Sequence, residues 1–458
     1  ATDAWFNPVA DVRDVTLSAD DPNAAPVVQP LENGTTTFAL PLYTAVVSTG
    51  TRRSFTVSAT GLANNTYRTP DFLLLPNVPT SLRLLAPGQQ RAPGTAAGRS
   101  GPPDPQTAGI PFDVTVDVTD NWGNMVSSEP VARVYTPDDL YDAIGDAPAS
   151  GRLTPLTDSG SGGTTVFQVV MKTERSTEDV LATTTTSRLF ARMTGDSLAL
   201  SYSSLTVDDD EDCLTGNCRL LMTMSPQVYT PGLGNSTVPG PRTAGVSFPV
   251  DIRAVDASYN LIETRGGPDN NPSVYFSVLE GAGLAPETDP GSISLNRGWG
   301  SANFTLRVAT NTTRLYVSTM TPGSDIVPFT SSALTVGTSN YYRLQALLPG
   351  ETYYPGGAGG KQGAPLTQTA GETFAVQVRA VDQYYNHIST NPTVELAFDD
   401  QFAEPVDPEI LSGGYFSFGV TLRTSTETAP SPNRVIASQS NDYQIAFGTS
   451  SHIPVKSS

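Results

Sequence analysis

Apolar residues recur at every second position in short runs along this chain. Phe38/Leu40/Leu42, Phe167/Val169/Met171, Phe304/Leu306/Val308 and Phe418/Val420/Leu422 are four such runs, each following a Gly-rich turn. Period-two spacing puts the apolar side chains on one face of a half-buried strand. Earlier strands of the same kind carry Phe112, Val114 and Val116, and then Phe374, Val376 and Val378. Further strands are "SVYFSVLE" and "TVELAFDD", and runs that start at an arginine two before a bulky residue: Arg53/Phe55, Arg188/Phe190, Arg314/Tyr316 and Arg434/Ile436. Closing strands read "SSLTV", "SSALTV" and "SSHIPV". Six or seven short strands in roughly 120 residues, separated by turns, predict an all-β chain: a tandem array of immunoglobulin-like antiparallel β-sandwiches. One helix is predicted in a connection, "TPDDLYDAI", with Thr136 as N-cap and Pro137 at its first position.

The strands belong to a repeat. Asp, three residues, then Asn occurs as Asp3/Asn7, Asp120/Asn124, Asp256/Asn260 and Asp382/Asn386, with Asp-to-Asp intervals of 117, 136 and 126 residues. Thr107, Thr243 and Thr369, in "TAGIPF", "TAGVSF" and "TAGETF", each lie 13 residues before the motif Asp. The predicted domains are 1–80, 81–212, 213–341 and 342–458. The first lacks the strand, loop and "TAG" strand that precede the Asp elsewhere, so the sequence is expected to enter in mid-domain, as a window on a longer chain. A neighbouring subunit donating the missing strands is the alternative. The Pro/Gly-rich loops 87–106, 226–242 and 349–368 recur at one place in the repeat and are expected to contact a neighbouring unit.

The "D-x-W-x-N-P-V" stretch at Asp3–Val9, with the "TAG-x-x-F" segment upstream of the later copies, resembles the tandem bacterial immunoglobulin-like repeats of invasin- and intimin-type adhesins and of giant surface and filament proteins. The resemblance implies an extracellular, cell-surface rod, stalk or filament and transfers no catalytic residue. These repeats exceed the usual length of such domains, through the Pro/Gly loop and insertions such as 136–163.

Composition narrows the function classes. Apolar content of 38% allows packed cores, and high Gly (40) and Pro (38) fit many turns. A net charge of −19, with Lys172, Lys361 and Lys456 the only lysines, argues against nucleic acid and anionic membranes as partners. No apolar run approaches 18 residues, so no membrane span is expected in this segment. The expected partners are copies of the chain itself or flanking repeats. The only cysteines, Cys213 and Cys218, are five apart and are expected to form a local disulfide, which fits an oxidising exterior.

Candidate chemistry is sparse. The Asp/Asn pairs can supply hard oxygen ligands to calcium, but Asp closing an Asx-turn and Asn taking a left-handed conformation explain them more simply. The motif aromatics Trp5, Phe6, Trp122, Tyr259, Tyr384 and Tyr385 are expected to cap the sandwich ends. Asp208, Asp209, Asp210, Glu211 and Asp212 form the densest charge; Asp208, Asp209, Asp210 and Asp212 are the candidate calcium ligands, though without EF-hand spacing. A solvated junction is the simpler reading, and no other cofactor is expected. Asn33, Asn64, Asn235, Asn303 and Asn311 head N-x-S/T sequons, candidate N-glycosylation sites in a glycoprotein. His387 and His452 are the only imidazoles, and no G-x-S-x-G or phosphate loop is present, so no enzyme is expected. The expected function is that of a structural extracellular protein. The alternatives are an adhesin that binds a glycan or host surface, and a calcium-rigidified rod.

Overall fold

The computed structural model of the chain describes residues 1–46, 52–128, 130–139, 150–152, 163–175, 184–193, 201–210, 213, 218–263, 271–279, 287, 290–321, 324–427, 433–440 and 444–458. Among them the regular structure is strand throughout, apart from one short 3-10 turn at Ala358–Gly360. Two compact units divide the chain. One comprises Ala1–Asp210 with Pro231–Leu233 and Asp256–Asn260; the other holds Glu211–Thr230, Gly234–Val255 and Leu261–Ser458.

In the first unit, Asp14–Ala19 pairs antiparallel with Val27–Pro30 on one side and with Phe55–Ser58 on the other, and Thr66–Arg68 extends the sheet. The described strands between residues 81 and 208 then form a sandwich. Phe112–Thr119 is the centre of a three-stranded antiparallel sheet, between Ser81–Leu85 and Thr164–Val169. The facing sheet runs Ser150–Arg152, Val131–Tyr135, Ser187–Met193, Ser201–Leu205. Leu84, Val114, Val116, Val134, Phe167, Val169 and Leu189 fill the space between, each the inward member of its alternating strand. A short parallel pairing of Gln106–Thr107 with Val207–Asp208 closes one side.

The second unit repeats the plan. Ser247–Val255 is flanked by Arg219–Thr223 and Trp299–Thr305, and Thr373–Val381 by Arg343–Leu347 and Tyr415–Thr421. Each three-stranded sheet packs on a second sheet, centred on Thr310–Thr319 and Ser273–Leu279 in one case and on Thr393–Phe398 and Val435–Gln439 in the other. Their cores hold Met222, Ile252, Phe276 and Phe304, and Val378, Val394, Phe418 and Val435. The fold is all-β, in immunoglobulin-like antiparallel sandwiches.

The structure departs from several expectations. Pro137 and Asp138 form a turn where a helix start is predicted, and the remainder of that segment lies outside the described residues. Phe167, Phe304 and Phe418 are buried as equivalent positions, whereas Phe38 is only half-buried. Residues 36–46 pair in no strand, so Phe38 has no companion three-stranded sheet to pack within. The Pro/Gly loops are not structureless. Each contains a small hairpin: Gln90–Arg91 with Arg99–Ser100, Tyr229–Thr230 with Gly234–Asn235, and Glu351–Tyr353 with Lys361–Gly363. The first of them also reaches the preceding repeat, where Asn23 Nδ2 donates to Pro93 O at 3.3 Å.

Candidate functional site: a recurring carboxylate–amide clamp

The Asp/Asn motifs at Asp120, Asp256 and Asp382 sit where a central strand ends and the chain turns. The motif Asp accepts at Oδ1 from the N–H two residues on, as an Asx-turn does: Trp122 at 2.9 Å, Ser258 at 2.8 Å and Tyr384 at 2.8 Å. It accepts there from the Asn N–H as well. Its Oδ2 takes a hydrogen bond from the Asn Nδ2, at 2.9, 2.8 and 2.9 Å. The residue in the left-handed region is not the Asn, as the sequence suggested, but the one before it: Phe6 (φ 63°), Gly123 (φ 70°), Tyr259 (φ 64°) and Tyr385 (φ 66°). Asn is therefore kept for its side chain, and the structure shows what that side chain does.

A primary amide carries two donors and an acceptor. One donor goes to the motif Asp. The other two groups reach some 80 residues back along the chain, to a strand corner. Asn124 Nδ2 donates to Tyr43 O at 2.8 Å, and Ala45 N donates to Asn124 Oδ1 at 2.8 Å. Asn260 does the same with Lys172 O (2.8 Å) and Glu174 N (2.9 Å), and Asn386 with Arg307 O and Ala309 N, both at 2.7 Å. In each case the amide pairs with the C=O of one residue and the N–H of the second residue after it, as a neighbouring strand would. The motif Asp adds a third tie, accepting at Oδ2 from a linker N–H: Asn77 for Asp120, Asp210 for Asp256 and Ser339 for Asp382. All six of these Asp and Asn side chains are buried.

The corner that the amide grips is itself held by a carboxylate that sequence reading missed. Asp21 Oδ2 accepts from Tyr43 N and Thr44 N, and its Oδ1 from Thr44 Oγ1 at 2.6 Å. Asp139 holds Lys172 N, Thr173 N and Thr173 Oγ1; Asp400 holds Arg423 N, Thr424 N and Thr424 Oγ1. Glu287 takes the role for Arg307 N and Val308 N. The signal was present as an Asp-Asp pair in three repeats: Asp20–Asp21, Asp138–Asp139 and Asp399–Asp400. In two of these the first acid pairs with the strand-starting arginine, Asp138 with Arg188 and Asp399 with Arg434.

Burial and donors compete for these carboxyls. Burial pushes Asp400 up, but the Thr424 hydroxyl and the N–H groups of Thr424, Phe402 and Arg423 outweigh it, so its pKa is lowered. Asp21 is lowered for the same reasons, with burial opposed by Thr44, Asn23 and Tyr43. At Asp256 burial wins over the Asn260 side chain and the surrounding N–H donors, and the pKa is raised. The signs follow from linkage. Asp21 and Asp400 contribute stability above the ordinary carboxyl pKa near 3.9, which is lost as pH falls through their lowered folded values. Asp256 runs the other way, its contribution present at low pH and lost as pH rises through its raised folded value. Carboxyl-detected NMR titration should show Asp400 titrating below that value and Asp256 above it; the reverse order would mean that burial does not govern Asp256.

Asp3 and Asn7 make the same internal bonds, with Trp5 N and Asn7 N donating to Asp3 Oδ1 and Asn7 Nδ2 to Asp3 Oδ2. Among the described residues they grip no corner, and both are exposed. Trp5 is 84% exposed and Phe6 85%, against 40% for Trp122, which packs edge-on to Tyr43 at 4.5 Å. The expected capping role thus holds for Tyr384, packed against the core of the preceding sandwich, and for Tyr385, whose hydroxyl accepts from Arg343 at 2.9 Å, but not for Trp5 and Phe6.

The remaining candidates are not brought together. Asp208, Asp209 and Asp210 are described and Glu211 and Asp212 are not; among the described residues no three His, Cys, Asp or Glu side chains gather as a metal site. Asp210 is buried, with its N–H on Asp256. Cys213 and Cys218 are joined, their Cα atoms 5.4 Å apart. Asn33, Asn64, Asn303 and Asn311 are exposed, while the Asn235 amide is bonded to Met222 O and Thr223 Oγ1. His452 is exposed, and His387 follows the clamp Asn386 with its N–H on the Tyr353 hydroxyl. Among the described residues no helix is long and apolar enough to cross a membrane.

No family model and no curated protein matches this sequence. Among solved structures, invasin, a bacterial integrin-binding protein, overlaps 99% of this chain and 74% of its own, at 12% identity and a TM-score of 0.25. A surface-layer protein (domains 1–6) overlaps 98% of this chain and 51% of its own, at 12% identity and 0.20. E. coli alpha-2-macroglobulin overlaps 99% at 11% identity and 0.23, and this chain spans 28% of its length. Values this low carry no argument about the chain.

Proposed function

We propose that this chain is a structural segment of an extracellular surface assembly, in which the carboxylate–amide clamp ties each motif turn to a strand corner of the preceding repeat. The observation that carries the reading is recurrence. The same amide meets the same pair of backbone groups at Asn124, Asn260 and Asn386, and a turn alone would not require that. Buried polar groups satisfied on all sides rigidify what they join, which suits a load-bearing array. The disulfide adds an oxidising setting.

Asn7 supplies the control, because it makes the turn without the grip. Asn124→Ala leaves the Tyr43 carbonyl and the Ala45 N–H unpaired in a buried site, so it should cost about 2 kcal/mol more than Asn7→Ala. Small-angle scattering of the Asn124→Ala chain should also require a broader range of repeat orientations than wild type. Equal costs for the two variants, with superimposable scattering, would reduce the motif to turn chemistry and remove the basis of this reading.

A further inference from the structure

The outer face of one sheet in the second repeat carries an aromatic and arginine lattice. Tyr135, Phe190 and Tyr202 lie directly opposite one another on the adjacent strands Val131–Tyr135, Ser187–Met193 and Ser201–Leu205. Their rings form a continuous row, with centroids 5.3 Å apart between Tyr135 and Phe190 and 5.4 Å apart between Phe190 and Tyr202. Beside the row, Arg133 and Arg192 also stand directly opposite each other. Both guanidinium groups sit over the Tyr135 ring, 5.8 and 5.3 Å from its centroid. From the other side of the row Arg188 covers Phe190, at 5.6 Å. Arg188, Arg192 and Tyr202 are exposed, and Arg133, Tyr135 and Phe190 are half-buried.

Like charges set directly opposite across two strands destabilise a sheet. Arg188 is neutralised by Asp138, whose two carboxylate oxygens accept from its guanidinium, both at 2.9 Å. Among the described residues no carboxylate pairs with Arg133 or Arg192, and the buried Nε of Arg133 has no hydrogen-bond partner. In a chain with 45 acidic residues against 26 basic ones, two unneutralised arginines on one face run against the composition. The fold does not require them. At the positions paired in the same way, the third repeat has Tyr275 and Ser318 for the two arginines, and Ser277, Tyr316 and Thr330 for the ring row. The fourth has Glu395 and Ser438, with Ala397, Ile436 and Thr449. Both build the same sheet without the lattice.

We propose that this face binds a carboxylated polysaccharide, a polyuronate, through Arg133 and Arg192. The guanidinium fork matches the two oxygens of a carboxylate, and a carboxylate bound between the arginines removes the repulsion that the free face bears. The hydroxyls of Tyr135, Tyr202 and Ser204, the last directly opposite Arg188, supply donors and acceptors for sugar hydroxyls. The geometry disfavours two other polyanions. Nucleic-acid bases stack on open ring faces, whereas these rings face one another, with 19° and 32° between planes, and two guanidinium groups already occupy Tyr135. An extended acidic peptide gains affinity by adding a strand to a sheet edge, whereas Ser187–Met193 is paired on both sides. The proposal takes only its extracellular setting from the reading above and names a partner for it.

The test titrates the full 458-residue chain with hexagalacturonate in a calorimeter, up to about 1 mM, the range of weak contacts. Binding should be measurable at low salt and weaken as salt is added. Maltohexaose, which lacks the carboxylates, and hexaglutamate, which lacks the sugar, should each bind about tenfold more weakly or worse. Arg192→Gln removes a charge-assisted contact and should lower the affinity about tenfold. The same change relieves the repulsion with Arg133, so its thermal midpoint should be no lower than that of wild type. Absence of binding by wild type up to about 1 mM would overturn the proposal, as would equal binding of hexaglutamate. An Arg192→Gln chain that binds as wild type does, or that loses binding together with its thermal midpoint, would overturn it too. None of these results touches the comparison of Asn124→Ala with Asn7→Ala, so the two readings fail separately.

Discussion

Replacing Asp382 by alanine is expected to destabilise the second unit by about 4 kcal/mol, the larger part of a typical domain's margin. The carboxylate satisfies four donors: the N–H groups of Tyr384, Asn386 and Ser339, and the Asn386 Nδ2. Each buried donor left unpaired costs about 1–3 kcal/mol, and water reaches the half-buried Ser339 and Tyr384 positions more readily than Asn386. Asp382→Asn separates the contributions. It keeps the Oδ1 acceptor for Tyr384 and Asn386 N–H, but sets an NH2 group against the Asn386 amide and the Ser339 N–H. Its loss should therefore be smaller than that of alanine but well above zero. Urea unfolding followed by near-ultraviolet circular dichroism measures both. A loss below about 1 kcal/mol for Asp382→Ala would show that solvent substitutes for the carboxylate.

Phe304→Ala is expected to cost about 3–5 kcal/mol in the same unit. The ring is almost fully buried, edge-on to Phe276 at 5.3 Å and alongside Phe248 at 6.2 Å. Phe248 and Phe304 face each other across neighbouring strands, so alanine opens a cavity bounded by rings that cannot both move in. Phe38→Ala is the internal contrast. Phe38 holds the same sequence position but is half-buried and outside any paired strand, and it should cost less than half as much. Similar losses at the two positions would mean that the first repeat has a core the structure does not show.

Much of the architecture was legible because β-structure writes itself in period two. Phe167, Phe304 and Phe418 were placed on inward faces from alternation alone, and the turn residues between them marked the strand ends. The Asp/Asn motif was equally visible as a repeat. Its purpose was not, because the partners of Asn386 are backbone groups of Arg307 and Ala309, 79 and 77 residues away. Backbone C=O and N–H are the same at every position, so a side chain that binds them leaves no complementary residue type to find. The corner carboxylates escaped for a related reason: Asp139 and Asp400 recur, but in the third repeat Glu287 does the work from a differently spaced loop. Phe38 was misjudged because alternation reports which face a side chain takes, not whether a second sheet covers that face.

The sequence by itself therefore determined the strands, their inward faces, the repeat and the cysteine pair, all of which depend on local spacing. Only the tertiary structure decided which amides grip which corners and which carboxylates hold those corners in shape. Those outcomes depend on where distant backbone groups meet, and chain folding alone brings them within hydrogen-bond reach.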